Sequence, residues 1–246
     1  MPPHTENMVK EYANPPIMEV ICEFRLTRDS NWDLTIPGII YEKVKDEFSN
    51  KEQKFIQIPP NLPDNPHSFD LIRFLTDNRK MFIQVAPHIL AVNCLKPYPS
   101  WKRFRPQITK AFQALVESID VKGFQRIGLR YVNHIEIHGQ EIKLDKYFNF
   151  RPFLGEKLPQ QMSNFFVGCV LPFEESDACK IEFINEDVKD PNQQSFFLDL
   201  DYHYSKKDSI SKDQALKWVD KAHEQIQQVF EGCITDDLRK LFNEVS

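Results

Sequence analysis

The chain has 246 residues and a formal net charge of −5, and it contains only 7 glycines beside 17 prolines and 20 phenylalanines. The sequence has none of the glycine-rich motifs that bind phosphates in P-loop and dinucleotide-binding folds, and no G-x-S-x-G nucleophile motif. A hydrophobic content of 41% with 27% charged residues is typical of a globular chain with a sizeable core. The net negative charge disfavours a strongly basic nucleic-acid-binding scaffold.

Cysteines occur at positions 22, 94, 169, 179 and 233, and no two of them have the C-x-x-C spacing of a zinc motif. We therefore expect buried, reduced thiols, no metal site and no cofactor. The N-terminal residues are polar and proline-rich, unlike a secretory signal peptide, and no stretch of about 18 apolar residues occurs. These features predict a cytoplasmic protein without a membrane contact.

The N-terminal part of the chain predicts an arm, a strand and a helix. Residues 1–16 predict an extended arm, because the residue before a proline disfavours helix. Residues 17–27 alternate between apolar and polar side chains, which is typical of a half-buried strand. Thr35 as an N-cap and Pro37 in the first turn predict a helix over residues 36–48.

A series of strands and a second helix follow. The strands are predicted over residues 53–60, 68–76, 80–87 and 88–96. An apolar stripe predicts a helix over residues 100–119. Because proline lacks the backbone donor, Pro106 predicts a kink, with the main helix starting near Arg105.

The remaining residues repeat this order. Residues 124–137 alternate strongly and predict a long strand, and a weak helix or turn follows it. Further strands are predicted over residues 163–173, 179–187 and 194–204. A long amphipathic helix is predicted over residues 212–231, with Ser211 and Gln214 as a capping box, and Thr235 predicts a cap for a final helical turn.

The predicted fold class is α+β. We expect duplicated strand-helix-strands-helix units that form a curved antiparallel sheet, with the helices packed on one face. The predicted organisation is an N-terminal arm at 1–16, a first half at 17–120 and a second half at 121–246, the two halves forming one continuous domain.

Several short motifs extend over nearly the whole chain. They are NPPI-x-E from Asn14, PY-x-x-W from Pro97, RIGLRY-x-N from Arg126, LDLD from Leu198 and a helical ending from His223. With these motifs the chain resembles a sporadically distributed, uncharacterised bacterial protein family of about this length. The resemblance implies no established activity, ligand or catalytic residue. The scattered occurrence of that family implies an accessory gene, such as a component of an anti-phage defence system.

Polar residues on two predicted strands form the first candidate site. They are Glu19, Glu23, Arg25, Arg126, Arg130 and His134. Carboxylates hold Mg²⁺ and arginines hold phosphate, so on one concave sheet face these residues would bind a nucleotide or another small ligand, or serve a metal-dependent phosphohydrolase. The alternative is an exposed sheet face with cross-strand ion pairs. Convergence of the carboxylates and arginines in one pocket would favour ligand binding.

A basic segment at residues 96–110 forms the second candidate site. It contains no acidic residue and interleaves basic residues with aromatic ones. Lys102, Arg103 and Arg105 are therefore candidates for contact with nucleic acid or phosphate. The alternative is that the aromatic residues belong to the core stripe of a helix and the charged residues to its solvated face.

Two further features are interpreted as structural. Tyr131 and Asn133 lie on the apolar face of their strand, where polar groups need partners, so they predict a buried hydrogen-bond network. His223 lies near the apolar stripe of the last long helix and is interpreted as a structural histidine.

No convincing nucleophile–base pair is present, so no catalytic residue is assigned and an enzyme is the less favoured interpretation. We expect a non-enzymatic cytoplasmic binding or regulatory module. Its partner would be another protein or a second copy, since an antiparallel sheet has edges that must be paired or protected. A nucleotide- or small-ligand-binding protein is the alternative, and nucleic-acid binding is the third hypothesis.

Overall fold

The computed structural model describes residues 11–57, 68–139, 141–188, 190, 192–204, 206 and 210–245. The predicted N-terminal arm lies outside the described residues as far as residue 10. The chain forms two compact units. Of the described residues, unit 1 contains those within 11–18, 130–202 and 220–245. Unit 2 contains those within 19–129 and 203–219. The predicted division between residues 120 and 121 stays a prediction.

The described chain contains both strands and helices. The strands are β1 Glu11–Tyr12, β2 Ile17–Leu26, β3 Asn50–Gln57, β4 Ser68–Leu75, β5 Met81–Ala86, β6 Ile89–Leu95, β7 Phe124–His138, β8 Phe166–Pro172, β9 Asp177–Glu186, β10 Gln193–Tyr204 and β11 Glu244–Val245. The helices are α1 Ile36–Val44, α2 Trp101–Ser118, α3 Leu144–Tyr147, α4 Lys212–Cys233 and α5 Asp236–Phe242.

The strands form one large antiparallel sheet and one small one. The large sheet has nine strands in the order β3-β4-β5-β6-β2-β7-β10-β9-β8, and β1 pairs with β11. Helices together with an antiparallel sheet of this size confirm the α+β class. None of the helices in the described part of the chain is both long and apolar enough to cross a membrane.

The core of unit 2 lies between β2 and the long helix α2. Alternate residues of β2, from Val20 to Leu26, are almost completely buried, as the alternation in the sequence predicts. Phe24 packs on Phe112 of α2 with ring centroids 4.8 Å apart. Helix α2 contacts β6, and α1 contacts α2. The opposite face of β2 therefore bears its polar residues.

Two details of the predicted helices in unit 2 are wrong. Thr35 does not cap α1 with its side chain, because its backbone is already helical and its hydroxyl donates to Asp33 instead. Helix α2 is continuous from Trp101 through Pro106, rather than starting near Arg105. Pro106 lies close to the N-terminus of α2, where the missing donor removes few helical hydrogen bonds.

The core of unit 1 is rich in aromatic residues from β9, β10 and the segment after α3. Phe148 lies 4.5 Å from Phe183 and 5.2 Å from Phe196, measured between ring centroids. All three side chains are buried. Thr235 caps α5 by accepting a hydrogen bond from the Leu238 amide, as predicted from the sequence. The core-facing residues of β9 and β10 alternate with outward-facing ones, most of which are polar, with Ile184 and Phe197 as apolar exceptions.

Candidate functional site

Three of the predicted ligand-binding residues meet on the outward face of unit 2. We call Glu23, Arg25 and Arg126 the Glu23 cluster. Arg126 Nη1 donates to Glu23 Oε1 over 2.8 Å, and Arg25 Nη2 lies 3.3 Å from both Glu23 carboxylate oxygens. The side chains of Glu23 and Arg126 are 21% and 22% exposed. In this cluster two guanidinium groups share one carboxylate.

Gly128 creates the space in which the Arg126 side chain lies. A Cβ atom at position 128 would be 2.3 Å from Arg126 Nη1 and 2.8 Å from Cζ. The arginine thus extends over its own strand toward Glu23, and a Cβ at position 128 would displace the end of its guanidinium group. This contact is a physical reason for the Arg-Ile-Gly spacing in the sequence.

Glu19 belongs to a second polar network of unit 2, which we call the Asn93 relay. Arg73 donates twice to Gln84 Oε1 at 2.9 and 3.0 Å, and Gln84 donates to Asn93 Oδ1 at 2.8 Å. Asn93 Nδ2 in turn donates to Glu19 Oε1 at 2.7 Å. The relay crosses four neighbouring strands, β4-β5-β6-β2. Because Asn93 is only 1% exposed, these hydrogen bonds satisfy a buried amide.

The predicted residue Arg130 lies in unit 1 and is paired there. Its guanidinium group makes a bidentate ion pair with Asp199 of β10, with Nε 2.8 Å from Oδ1 and Nη2 close to Oδ2. Hydrogen bonding to this carboxylate raises the pKa of Arg130 above its ordinary value. Such a planar pair occupies the groups with which Arg130 would bind phosphate.

The last predicted residue, His134, forms a closed set of contacts with Ser195 and Glu186 in unit 1. His134 Nε2 lies 2.6 Å from Ser195 Oγ and 3.3 Å from Glu186 Oε2, and Ser195 Oγ donates to the same carboxylate oxygen at 3.0 Å. In a catalytic triad the carboxylate holds the other ring nitrogen of the histidine. Ser195 is also only 1% exposed. The geometry is therefore that of a structural hydrogen-bond ring and not of an activated nucleophile.

The six predicted residues thus fall into four sets of contacts. Glu23, Arg25 and Arg126 lie together, and Glu19 joins the Asn93 relay. Arg130 and His134 belong to unit 1, each with partners on neighbouring strands. Whether the six act as one ligand site stays a prediction.

The three residues interpreted as structural lie in the core of unit 1. Asn133 Nδ2 donates to the Leu198 carbonyl at 3.0 Å, and the Tyr131 hydroxyl lies 3.0 Å from His223 Nδ1. Burial lowers the pKa of His223 from 6.5 to about 4, so the ring is neutral at physiological pH. These contacts confirm the predicted buried network.

The predicted basic segment divides into a buried stripe and an exposed set. Phe104 is fully buried, whereas Lys102 and Arg103 are exposed. Arg105 is half-buried; it donates to Thr109 and, over 3.2 Å, to the Leu216 carbonyl. Lys102 and Arg103 are therefore the more accessible of the three predicted nucleic-acid or phosphate contacts.

The described metal-ligating residue types form no cluster, and most of the thiols are buried. Across the described ranges, no three His, Cys, Asp or Glu side chains are placed to hold a metal ion. All five cysteines are free, and four of them are buried. Burial raises the pKa values of Cys94, Cys179 and Cys233 to about 12, so these thiols are protonated and unreactive.

An apolar depression on the outward sheet face of unit 1 was not predicted from the sequence. Its volume is ≈ 290 Å³, and we call its lining the unit 1 patch. The lining residues are Val132, Phe166, Glu182, Ile184, Phe197 and Asp199. Phe166 is 64% exposed, and Phe197 stacks on His134 with ring centroids 4.8 Å apart. The lining combines four apolar side chains with two carboxylates.

No family model matches the chain, and no curated protein matches it. The bacterial family that the sequence motifs resemble therefore stays a prediction, and the candidate sites are argued from their own geometry.

Several residues of these networks were missed in the sequence. Asn93 is the only polar residue in the apolar run from Ile89 to Leu95, and a lone amide of that kind could have indicated a buried hydrogen bond. Asp177 gives no such signal. It is 2% exposed, accepts from the Tyr202 hydroxyl at 3.0 Å and lies 3.2 Å from Lys221 Nζ.

Proposed function

We propose that this protein is a non-enzymatic binding or regulatory module that contacts a protein partner through the unit 1 patch. The observation that carries the proposal is a difference between two kinds of side chain on the outward faces: the charged ones are paired with each other, whereas an apolar one is largely exposed. Arg130 and Glu23 are paired with neighbouring charges, whereas Phe166 of the patch is 64% exposed. Exposed aromatic side chains gain the most free energy when a partner covers them.

The dimensions of the patch favour a protein partner over a small ligand. Pockets for drug-sized ligands have about 300–1,000 Å³ and bury most of the ligand surface. The unit 1 patch, at ≈ 290 Å³, lies at the lower limit of that range and is bordered by the largely exposed Phe166. The lining carboxylates Glu182 and Asp199 are already paired with Lys180 and Arg130, so the apolar side chains are the part of the patch that a partner would cover.

An Ile184→Lys variant tests this proposal, with Ile39→Lys as its matched control. Ile184 lines the patch and is half-buried, whereas Ile39 is 41% exposed on α1 in the other unit. The three proteins would be purified from the native host and analysed by native mass spectrometry. We expect a bound polypeptide with the wild type and with Ile39→Lys, and its loss with Ile184→Lys. A wild-type protein that carries no polypeptide, or equal binding by all three, would contradict the proposal.

The accessory role in anti-phage defence is part of the same proposal, and its support is the family resemblance. A phage-challenge assay tests it by comparing host strains that carry the wild type or the Ile184→Lys variant. Reduced protection with the variant, at equal protein level, is the expected result. Equal plating efficiency in the presence and absence of the gene would argue against this role.

The alternative is a nucleotide or other small-ligand site, including a metal-dependent phosphohydrolase, on the charged sheet face. Its support is the Glu23 cluster, in which two guanidinium groups share one carboxylate. A phosphate group bound there would be held by Arg25 and Arg126. Native mass spectrometry of the same samples distinguishes this alternative, since a bound small molecule would add a discrete mass that is lost in an Arg126→Met variant.

Nucleic-acid binding is supported by the exposed Lys102 and Arg103 in the first turn of α2. That turn contains no acidic residue, and the positive end of the helix dipole adds to the basic charge. Binding would weaken steeply with salt and after replacement of both residues by glutamate. Fluorescence anisotropy with a labelled oligonucleotide measures this, and salt-independent or absent binding would exclude the hypothesis.

We further propose that the fold consists of duplicated units. The strand order β4-β5-β6-β2 has a counterpart in β8-β9-β10-β7, and each set follows the chain order strand, helix, strands, helix. In unit 2 the contact of α2 with β6 is consistent with helices on one face. The curvature of the sheet stays a prediction. An experimental structure in which residues 17–120 superpose on residues 121–246 with this correspondence is the test.

A further inference from the structure

Strand β8 has one paired side and one unpaired side among the described strands. It stands at the end of the strand order, and its described partner is β9. Its side chains are unusually accessible: Phe166 is 64% exposed, Val170 59% and Leu171 40%. A strand edge of this kind presents a row of backbone donors and acceptors to other chains.

The register of β8 on β9 identifies which backbone groups point outward. The Phe173 amide donates to the Asp177 carbonyl at 2.8 Å, immediately beyond the paired residues. In an antiparallel pair the residues that bond to the partner alternate with those that do not. The backbone N–H and C=O groups of the odd-numbered residues of β8 therefore point toward β9. The amides of Phe166, Gly168 and Val170 point away from β9, toward the free edge of the sheet.

The two terminal strands of the large sheet differ in how their edges are protected. Strand β3 contains Lys51, Glu52 and Lys54, and charged side chains are the usual protection of a free edge. Strand β8, with the sequence FVGCVLP, contains no charged residue. An apolar edge whose protection is limited to Pro172 at its C-terminal end, in a chain of net charge −5, favours a partner for the preceding residues.

We propose that β8 pairs antiparallel with β8 of a second copy, about a two-fold axis at Gly168. The β8 edge shares Phe166 with the unit 1 patch, so the inference names a second copy as a partner for that surface and in this part rests on the proposed function. In this register Phe166 of each copy lies opposite Val170 of the other. All the outward amides of these residues then have a carbonyl partner, and the two most exposed apolar side chains of the strand cover each other.

Pro172 disfavours the symmetric registers in which it lies among the paired residues. It occupies an outward-facing position and has no amide hydrogen, as is usual for proline at a sheet edge. An axis at Cys169 would place Pro172 opposite Phe166 of the second copy and lose a hydrogen bond at each end. An axis at Gly168 leaves Pro172 outside the three central pairs, so no bond is lost among them.

The lack of charged residues on β8 allows a second copy of the same strand to pair with its free edge. In a symmetric pair, each side chain near the axis meets its own kind, so a charged residue there would oppose a like charge. No residue of β8 introduces such repulsion. Gly168 on the axis also leaves room for the Phe166 ring, which lies 3.2 Å from the position that a Cβ at residue 168 would take.

Gly168→Asp and Gly168→Lys variants test the proposal by charge exchange. Each variant alone would place like charges opposite each other on the axis, whereas a mixture of the two would place opposite charges there. Leu34→Asp is the control for the change in net charge, because Leu34 is 93% exposed and lies in unit 2. Circular dichroism and urea unfolding would verify that all variants are folded, since the Phe166 ring must shift slightly to admit the new side chain.

Sedimentation velocity would be recorded between about 1 μM and about 1 mM, the range of weak protein affinities. We expect the wild type and Leu34→Asp to move from 29.0 kDa toward twice that mass with increasing concentration. Each folded Gly168 variant alone should remain at the mass of one chain, and the equimolar mixture should dimerise again. A monomeric wild type, dimers in both single variants, or a mixture that stays monomeric would overturn the proposal.

Discussion

Replacement of His223 by glutamine should remove part of the acid sensitivity of this protein. His223 is 9% exposed, and its Nδ1 lies 3.0 Å from the Tyr131 hydroxyl. Burial lowers its pKa from 6.5 to about 4, and the nearby Asp220 only partly opposes this effect. Glutamine retains a hydrogen-bonding side chain beside Tyr131 and does not titrate.

The magnitude follows from proton linkage. Between pH 6.5 and pH 4 the unfolded chain binds a proton at His223 that the folded chain does not bind. Lowering the pH through this window therefore favours the unfolded state, and the stability associated with the neutral ring is present above pH 6.5. At about pH 5 the loss amounts to about 2 kcal/mol relative to neutral pH.

Urea unfolding of the wild type and of His223→Gln at neutral pH and at about pH 5 measures this contribution. Other titrating groups are common to both proteins, so the difference between their two losses isolates residue 223. We expect the wild type to lose about 2 kcal/mol more than the variant. Equal losses in both proteins would refute the reasoning that burial keeps this ring neutral.

Two further substitutions test single contacts. Asp177→Ala should lower the free energy of unfolding by about 1–3 kcal/mol, because the buried Tyr202 hydroxyl loses its acceptor and Lys221 loses its counter-ion. Urea unfolding at neutral pH measures this, and a free energy within about 0.5 kcal/mol of the wild-type value would contradict it. Gly128→Ala should destabilise the protein when Arg126 is present, because the Cβ of the new alanine would meet the guanidinium group. In an Arg126→Ala background the same substitution should have little effect. Additive effects of the two substitutions in a double-mutant cycle would disprove the contact.

Local patterns predicted the elements of this fold well. Strand β2 was expected over residues 17–27 and spans Ile17–Leu26. The prediction succeeded because apolar and polar side chains alternate along a half-buried strand, and this alternation is visible in the sequence. Helix α4 begins at Lys212 as expected, and Ser211 bonds to the Gln214 side chain there. Thr35 was predicted wrongly because a cap depends on backbone angles that residue type alone does not determine.

The networks on the sheet faces could not be predicted because they depend on which strands become neighbours. Residues 73, 84, 93 and 19 are spread over a long stretch of chain, and only the order β4-β5-β6-β2 brings them into one relay. Glu23 and Arg126 were predicted to lie on the same face, and the pairing of β2 with β7 places them in contact. The unit 1 patch likewise combines residues from four strands, each unremarkable in its own segment.

Strand β8 was expected from its sequence, but its position at the end of the sheet was not. The segment FVGCVLP has the composition of a buried strand, and sequence alone gave no reason to assign it to an edge. Its exposure results from the strand order, in which β9 is its described neighbour. The absence of charge on β8 is meaningful only once that position is known.

Residue-resolved amide hydrogen exchange of β8, measured at low and high protein concentration, tests the central claim that this edge is a binding surface for a second copy. The account predicts alternation: the amides of Phe166, Gly168 and Val170 exchange rapidly in dilute solution and become protected as the concentration rises. The amides that face β9, such as those of Val167 and Cys169, should be protected at both concentrations. Rapid exchange of the outward amides at every concentration would contradict the account.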